Sequence, residues 1–223
     1  MIQAMRKVLT FLIVFLISAY LCSMNKNKII TVVKNHIKEE FSGEGTGHDY
    51  FHIERVVKSA NRIAKEENAD LFLVELAAWL HDVGDYKLND GVDKSEELIS
   101  EFLSELNVPQ EIISKTLEIV SQVSFSKGKI AESLEAQIVQ DADRLDAIGA
   151  VGLARVFAYG GSKHREIWNP ENPEETTIQH FYDKLLKLED LMNTNTAKKI
   201  AEERHQYLEE FLDRFYREWE GKS

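Results

Sequence analysis

A chain of 223 residues with 43% apolar side chains is long enough for one medium domain with a substantial core. A net charge of −11 without a basic face argues against a duplex nucleic-acid partner. The single cysteine, Cys22, excludes an intrachain disulfide and suits a reducing compartment such as the cytoplasm.

Residues 1–23 stand apart from the rest. Arg6 and Lys7 precede an apolar run from Val8 to Cys22, with no acidic residue nearby. The run is shorter than the roughly twenty residues that span a bilayer upright. Charge followed by a short apolar core resembles a secretory signal, yet Ala19-Tyr20-Leu21-Cys22 puts bulky residues where cleavage wants small ones. Met24 opens a natural amphipathic start, MNKNKIITVVKNHIKEEF. Three readings stay open: an upstream start codon, a retained anchor, and a cleaved export signal. A membrane is a partner only if residues 8–22 are retained, and the working domain is 24–223.

Three prolines, eleven glycines and no long polar–apolar alternation predict an all-α fold, a helical bundle. Ile29 to Phe41 reads as the first helix, followed by a Gly-rich break at Ser42–Gly47. A second helix, about Asp49 to Glu67, carries the stripe Ile53, Val56, Val57, Ala60, Ile63 and Ala64. Leu71 to Asp82 is the third, apolar on all sides and therefore central. Helices over Lys94–Leu106 and Gln110–Val123 follow, then a turn at Ser124–Lys129. Leu134 to Ala147 begins a helical region expected to continue through small residues to Gly160. A polar loop, Gly161–Glu175, precedes two amphipathic helices, Thr177–Leu191 and Thr196–Glu220.

The chemistry concentrates where the third helix ends in His81-Asp82, followed by Val83-Gly84-Asp85. Buried charges cost several kcal/mol unless paired or bound to metal. His52 falls at the edge of its helix's apolar stripe, where it can point along the interface, and Asp143 sits on a helix apolar on two sides and is expected to face inward. A single histidine on an apolar face is more often a satisfied core residue. Four such groups on three core helices tip the balance toward a shared ion. Two imidazoles and two carboxylates suit Mn²⁺, Mg²⁺, Fe²⁺ or Zn²⁺ better than copper.

Taken in order, His52-x-x-Arg55-Val56, His81-Asp82-x-x-Asp85 and Asp141-Ala142-Asp143-Arg144-Leu145-Asp146 resemble the HD superfamily of metal-dependent phosphohydrolases, in particular its bacterial YpgQ-like branch. The resemblance spans roughly Asn25 to Glu220. It implies an HD-domain bundle with one buried divalent ion, Mn²⁺ favoured, held by His52, His81, Asp82 and Asp143. It also implies hydrolysis of a small phosphate ester or anhydride, most often a nucleotide cleaved in the manner of a triphosphate pyrophosphohydrolase. The competing reading is a non-catalytic, metal-stabilised module that binds a nucleotide or partner.

Further roles follow less directly. Asp85, just past Gly84, is the candidate to accept a proton from the attacking water, against a plain solvated carboxylate. Lys87 and Arg144 are candidates for phosphate contact, as is the loop triplet Lys163-His164-Arg165. Arg144 and Arg155 serve equally well as structural partners for Asp141 or Asp146, and that reading is preferred for Arg155.

Overall fold

Every regular element among the described residues of the computed structural model (25–42, 49–85, 91–123 and 131–222) is helical. The N-terminal apolar run, Lys87 and the 124–129 turn lie outside them. No described helix is long and apolar enough to cross a membrane.

Helix α1, residues 25–40, buries Ile29, Val33 and Ile37, one ridge at four-residue spacing. Helix α2, Tyr50–Glu67, starts where Asp49 accepts the His52 backbone N–H at 2.7 Å, and it ends at Asn68 in the left-handed conformation. Its predicted stripe is buried in full, and His52 is buried beside it. Asp70 caps α3, Leu71–Leu80, by accepting from the backbone of Phe72 and Leu73. Leu73, Val74 and Leu76 to Leu80 are buried because α3 packs against α2, α5 and α6 together.

Helix α3 was expected to run to Asp82, but it stops at Leu80, with His81 as its C-cap. The next residues form a tight turn closed by Val83 N–H on the Leu80 carbonyl and Asp85 N–H on the Asp82 carbonyl. Gly84 makes this possible. Its φ is +70°, and a Cβ there would lie 2.6 Å from the Ser95 backbone nitrogen. The Lys94 N–H returns to the Gly84 carbonyl at 2.9 Å, tying the turn to the start of α4, Ser95–Glu105.

Helix α5, Gln110–Val123, pairs with α4 and covers α3 and α6. Helix α6, Leu134–Asp146, is capped by Ser133 and packs against α2, α3, α5 and α9. The continuous helix expected from Leu134 to Gly160 is broken after Asp146, and α7 begins anew at Gly149 and runs to Ser162. Two guanidiniums replace the missing helical donors: Arg204 donates to the Leu145 carbonyl and Arg155 to that of Asp146. Cations at a helix C-terminus also oppose its dipole. Gly149, at φ +77°, then turns the chain with the Arg204 stem packed against it.

The helix expected over Thr177–Leu191 is likewise absent as one unit. Helix α8 covers only Gln179–Asp183, and 3₁₀ turns follow at Leu185–Lys187 and Glu189–Leu191. Ile178, Phe181, Leu185 and Leu188 are buried at spacings of three and four, which successive short turns satisfy as well as a helix does. Helix α9, Asn195–Trp219, closes the bundle, with Thr194 accepting the Ala197 N–H at its start.

Candidate metal centre

Three elements deliver the site: the first turn of α2, the turn after α3 and the C-terminal half of α6. Asp82 Oδ2 lies 3.5 Å from Nε2 of both His52 and His81. Asp143 Oδ1 lies 3.5 Å from His52 Nε2 and 4.0 Å from His81 Nε2. The two rings meet edge to face, with centroids 5.4 Å apart. One donor atom each from His52, His81 and Asp143 falls within a 4.8 Å cluster.

The protonation of each ring follows from its other nitrogen. His81 Nδ1 is 2.8 Å from the Ala78 carbonyl, which can only accept, so Nδ1 carries the hydrogen. Its Nε2 is then a lone pair, buried with no hydrogen-bond partner. His52 Nδ1 is 2.7 Å from Asp146 Oδ2, which assigns the same tautomer. Both lone pairs therefore converge on the carboxylates of Asp82 and Asp143. Such an arrangement is unfavourable without a cation between the groups.

The donors fit a divalent ion. At about 2.1 Å per ligand, neighbouring donors sit roughly 3–4 Å apart, the range of the four His–Asp separations. Two neutral imidazoles and two carboxylates, with no thiolate, suit a borderline-hard metal. His52, His81 and Asp82 are almost wholly buried, whereas the Asp143 side chain keeps 29% of its exposure. Asp143 is therefore the member of the cluster that water reaches most easily.

Asp146 was read from the sequence only as a partner to be neutralised, yet it is the hub behind the site. Buried itself, it accepts from His52 Nδ1, from Arg55 Nε at 2.7 Å and Nη2 at 3.0 Å, and from Arg155 Nη1 at 2.7 Å. Burial alone would raise its pKa. The hydrogen bonds of His52 and Arg55 and the charge of Arg155 outweigh this and hold it well below the usual carboxylate range. The available signal was its position one turn after Asp143 on the same helix.

Asp141 has a different task. Fully buried, it accepts from the backbone and side chain of both Asn193 and Thr194, at 2.8–2.9 Å. It thereby fastens the start of α9 to α6.

The other sequence candidates divide by location. Asp85 is buried immediately after the Gly84 turn. Arg144, a candidate for phosphate contact, instead donates to the Leu191 carbonyl, and burial lowers its pKa. Lys163, His164 and Arg165 sit at the far end of α7, whose 14 residues span about 21 Å. There they line a separate groove of about 540 Å³ together with Glu166, His180 and Asp183. The structure does not bring this triplet to the His–Asp cluster.

The HD domain family model matches residues 49–148, the span that carries every member of the cluster. YpgQ of Bacillus subtilis, itself an uncharacterized protein, is 40% identical over 193 residues, covering 85% of this chain and 93% of YpgQ. The chain belongs to the HD-domain family. An HD-superfamily hydrolase from Bacillus thuringiensis superposes with a TM-score of 0.76 at 42% identity, covering 87% of this chain and 98% of its own. A crystal structure of B. subtilis YpgQ in complex with ADP superposes with a TM-score of 0.76 at 36% identity, covering 87% and 96% respectively. HD domains bind divalent metal, and membership places this protein among metal-dependent phosphohydrolases in general. Within the matched span, His81 caps α3 and Asp82 opens the Gly84 turn.

Proposed function

We propose that the protein hydrolyses a phosphoanhydride of a small nucleotide, using one divalent ion, with Mn²⁺ favoured, held by His52, His81, Asp82 and Asp143. The observation that carries this reading is the convergence of two buried imidazole lone pairs on two carboxylates, with donor separations of 3.5–4.0 Å. When bound, such an ion polarises a phosphoryl oxygen and makes water a nucleophile near neutral pH. The nucleotide assignment is supported by the ADP in the YpgQ structure. A single cysteine and a nucleotide substrate both suit the cytoplasm.

The chain's own residues divide the remaining work. The Ala78 carbonyl and Asp146 orient the two imidazoles, so they enter the site with fixed tautomers. Asp85, three residues beyond Asp82 and buried, takes the proton of the attacking water. Substrate enters beside Asp143, the one partly exposed member of the set. Lys87, outside the described residues, stays the sequence's candidate for phosphate contact. Arg144 and the Lys163-His164-Arg165 triplet are given no part, because the first is engaged with Leu191 and the second stands at the other end of α7.

The test is a panel of nucleoside triphosphates, diphosphates and simple phosphate esters, with Mn²⁺, Mg²⁺, Zn²⁺ or no added metal, and products resolved by chromatography. The proposal expects metal-dependent release of pyrophosphate and nucleoside monophosphate from a triphosphate, and loss of both metal binding and turnover in Asp82→Ala. Full turnover by Asp82→Ala with metal still bound, or no turnover of any phosphate compound, contradicts it.

A further inference from the structure

We infer that Arg55 and Arg155 are positioning residues for the metal centre: together they saturate Asp146 with donors and so force His52 to present Nε2, not Nδ1–H, to the ion. This inference rests on the metal-site reading above and concerns what prepares the site before any ion arrives.

Three helices contribute. Arg55 is on α2, one turn beyond His52; Asp146 is the last residue of α6; Arg155 is on α7. Arg55 spans the carboxylate with its fork, Nε on Oδ1 and Nη2 on Oδ2. Arg155 adds Nη1 on Oδ2, and the same nitrogen also reaches the Asp146 backbone carbonyl at 3.2 Å. With these contacts in place the carboxylate is held against rotation and both its oxygens already accept. A His52 ring with its lone pair on Nδ1 would then face an acceptor-only oxygen at 2.7 Å. The ring must instead carry hydrogen on Nδ1, which leaves Nε2 bare towards Asp82 and Asp143, each 3.5 Å away.

The side chains of Arg55 and Arg155 are about a third and a quarter exposed, so water reaches them without loosening the buried carboxylate. His81 needs no such clamp, because the Ala78 carbonyl is fixed by the helix and has no alternative state. The two ligands therefore differ in kind. One tautomer is set by backbone, and the other is set by an ion network that substitutions can remove.

The decisive experiment compares the full chain with an Arg55→Ala/Arg155→Ala double variant by calorimetric titration with Mn²⁺. A nitrogen-15 histidine spectrum of each metal-free protein reads the His52 tautomer. The expected result is a single Nδ1–H tautomer in the parent and a mixed population in the variant, with Mn²⁺ affinity 10- to 100-fold weaker. Affinity within twofold of the parent, with His52 still a single tautomer, overturns the inference and leaves the metal site standing. Absence of Mn²⁺ binding by the parent removes the metal-site reading itself, and this inference with it. If the double variant fails to fold, Arg155→Lys replaces it. This variant keeps the charge but not the fork; an intermediate loss of affinity is expected, and unchanged affinity overturns the inference.

Discussion

Single residues differ in how openly the sequence shows their tasks. The convergence of His52, His81, Asp82 and Asp143 was legible because polar groups on or at the end of apolar helices have few physical explanations. Asp141 and Asp146 sit in the same short motif and are buried just as deeply, yet their tasks depend on partners more than 50 and 90 positions away. No local pattern announces those partners, so both acids read alike until the fold separates them. Asp141 acts as a clasp, and its value is measurable. Asp141→Ala leaves the donors of Asn193 and Thr194 unmatched in a buried setting. The expected cost is about 3 kcal/mol of unfolding free energy by chemical denaturation. A loss under about 1 kcal/mol would show that water or the backbone replaces the clasp.

At the scale of elements, regular amphipathic patterns translated directly and interruptions did not. Helix α5 has the bounds its periodicity predicts, and α2 differs only in that Asp49 is its cap. The break between α6 and α7 was hidden because small residues on both sides continue the helical pattern. What ends α6 is the arrival of Arg204 and Arg155 at its terminal carbonyls, a tertiary event. Thr177–Leu191 failed for a related reason, since 3₁₀ turns bury the same spacing. The turn after α3 carries two of the proposed ligands, and Gly84 is its hinge. Gly84→Ala forces a Cβ onto the α4 backbone at a positive φ, so about 2 kcal/mol or more is expected to be lost. Activity should fall with it, because His81, Asp82 and Asp85 share the turn. A melting temperature equal to the parent's would mean that the turn relaxes without cost.

Across the whole molecule, composition and the all-round apolar α3 were enough to predict an all-helical bundle with α3 at its centre. The site's depth followed from that, because residues at the end of a central helix inherit its burial. The partial exposure of Asp143 did not follow, because the helical pattern had it facing inward. The apolar core, from Ile29 to Leu212, is built without the four proposed ligands. Removing metal with a chelator is therefore expected to leave helical circular dichroism and cooperative melting in place while abolishing turnover. Loss of fold on chelation would instead mark the ion as structural.

The central claim is that one divalent ion is gripped by His52, His81, Asp82 and Asp143. Anomalous diffraction from a crystal of the protein grown with Mn²⁺ tests it most directly. The expected map shows a single strong peak between Nε2 of both histidines and the carboxylate oxygens of Asp82 and Asp143. A map with no peak there, or with manganese bound only elsewhere, would contradict the account.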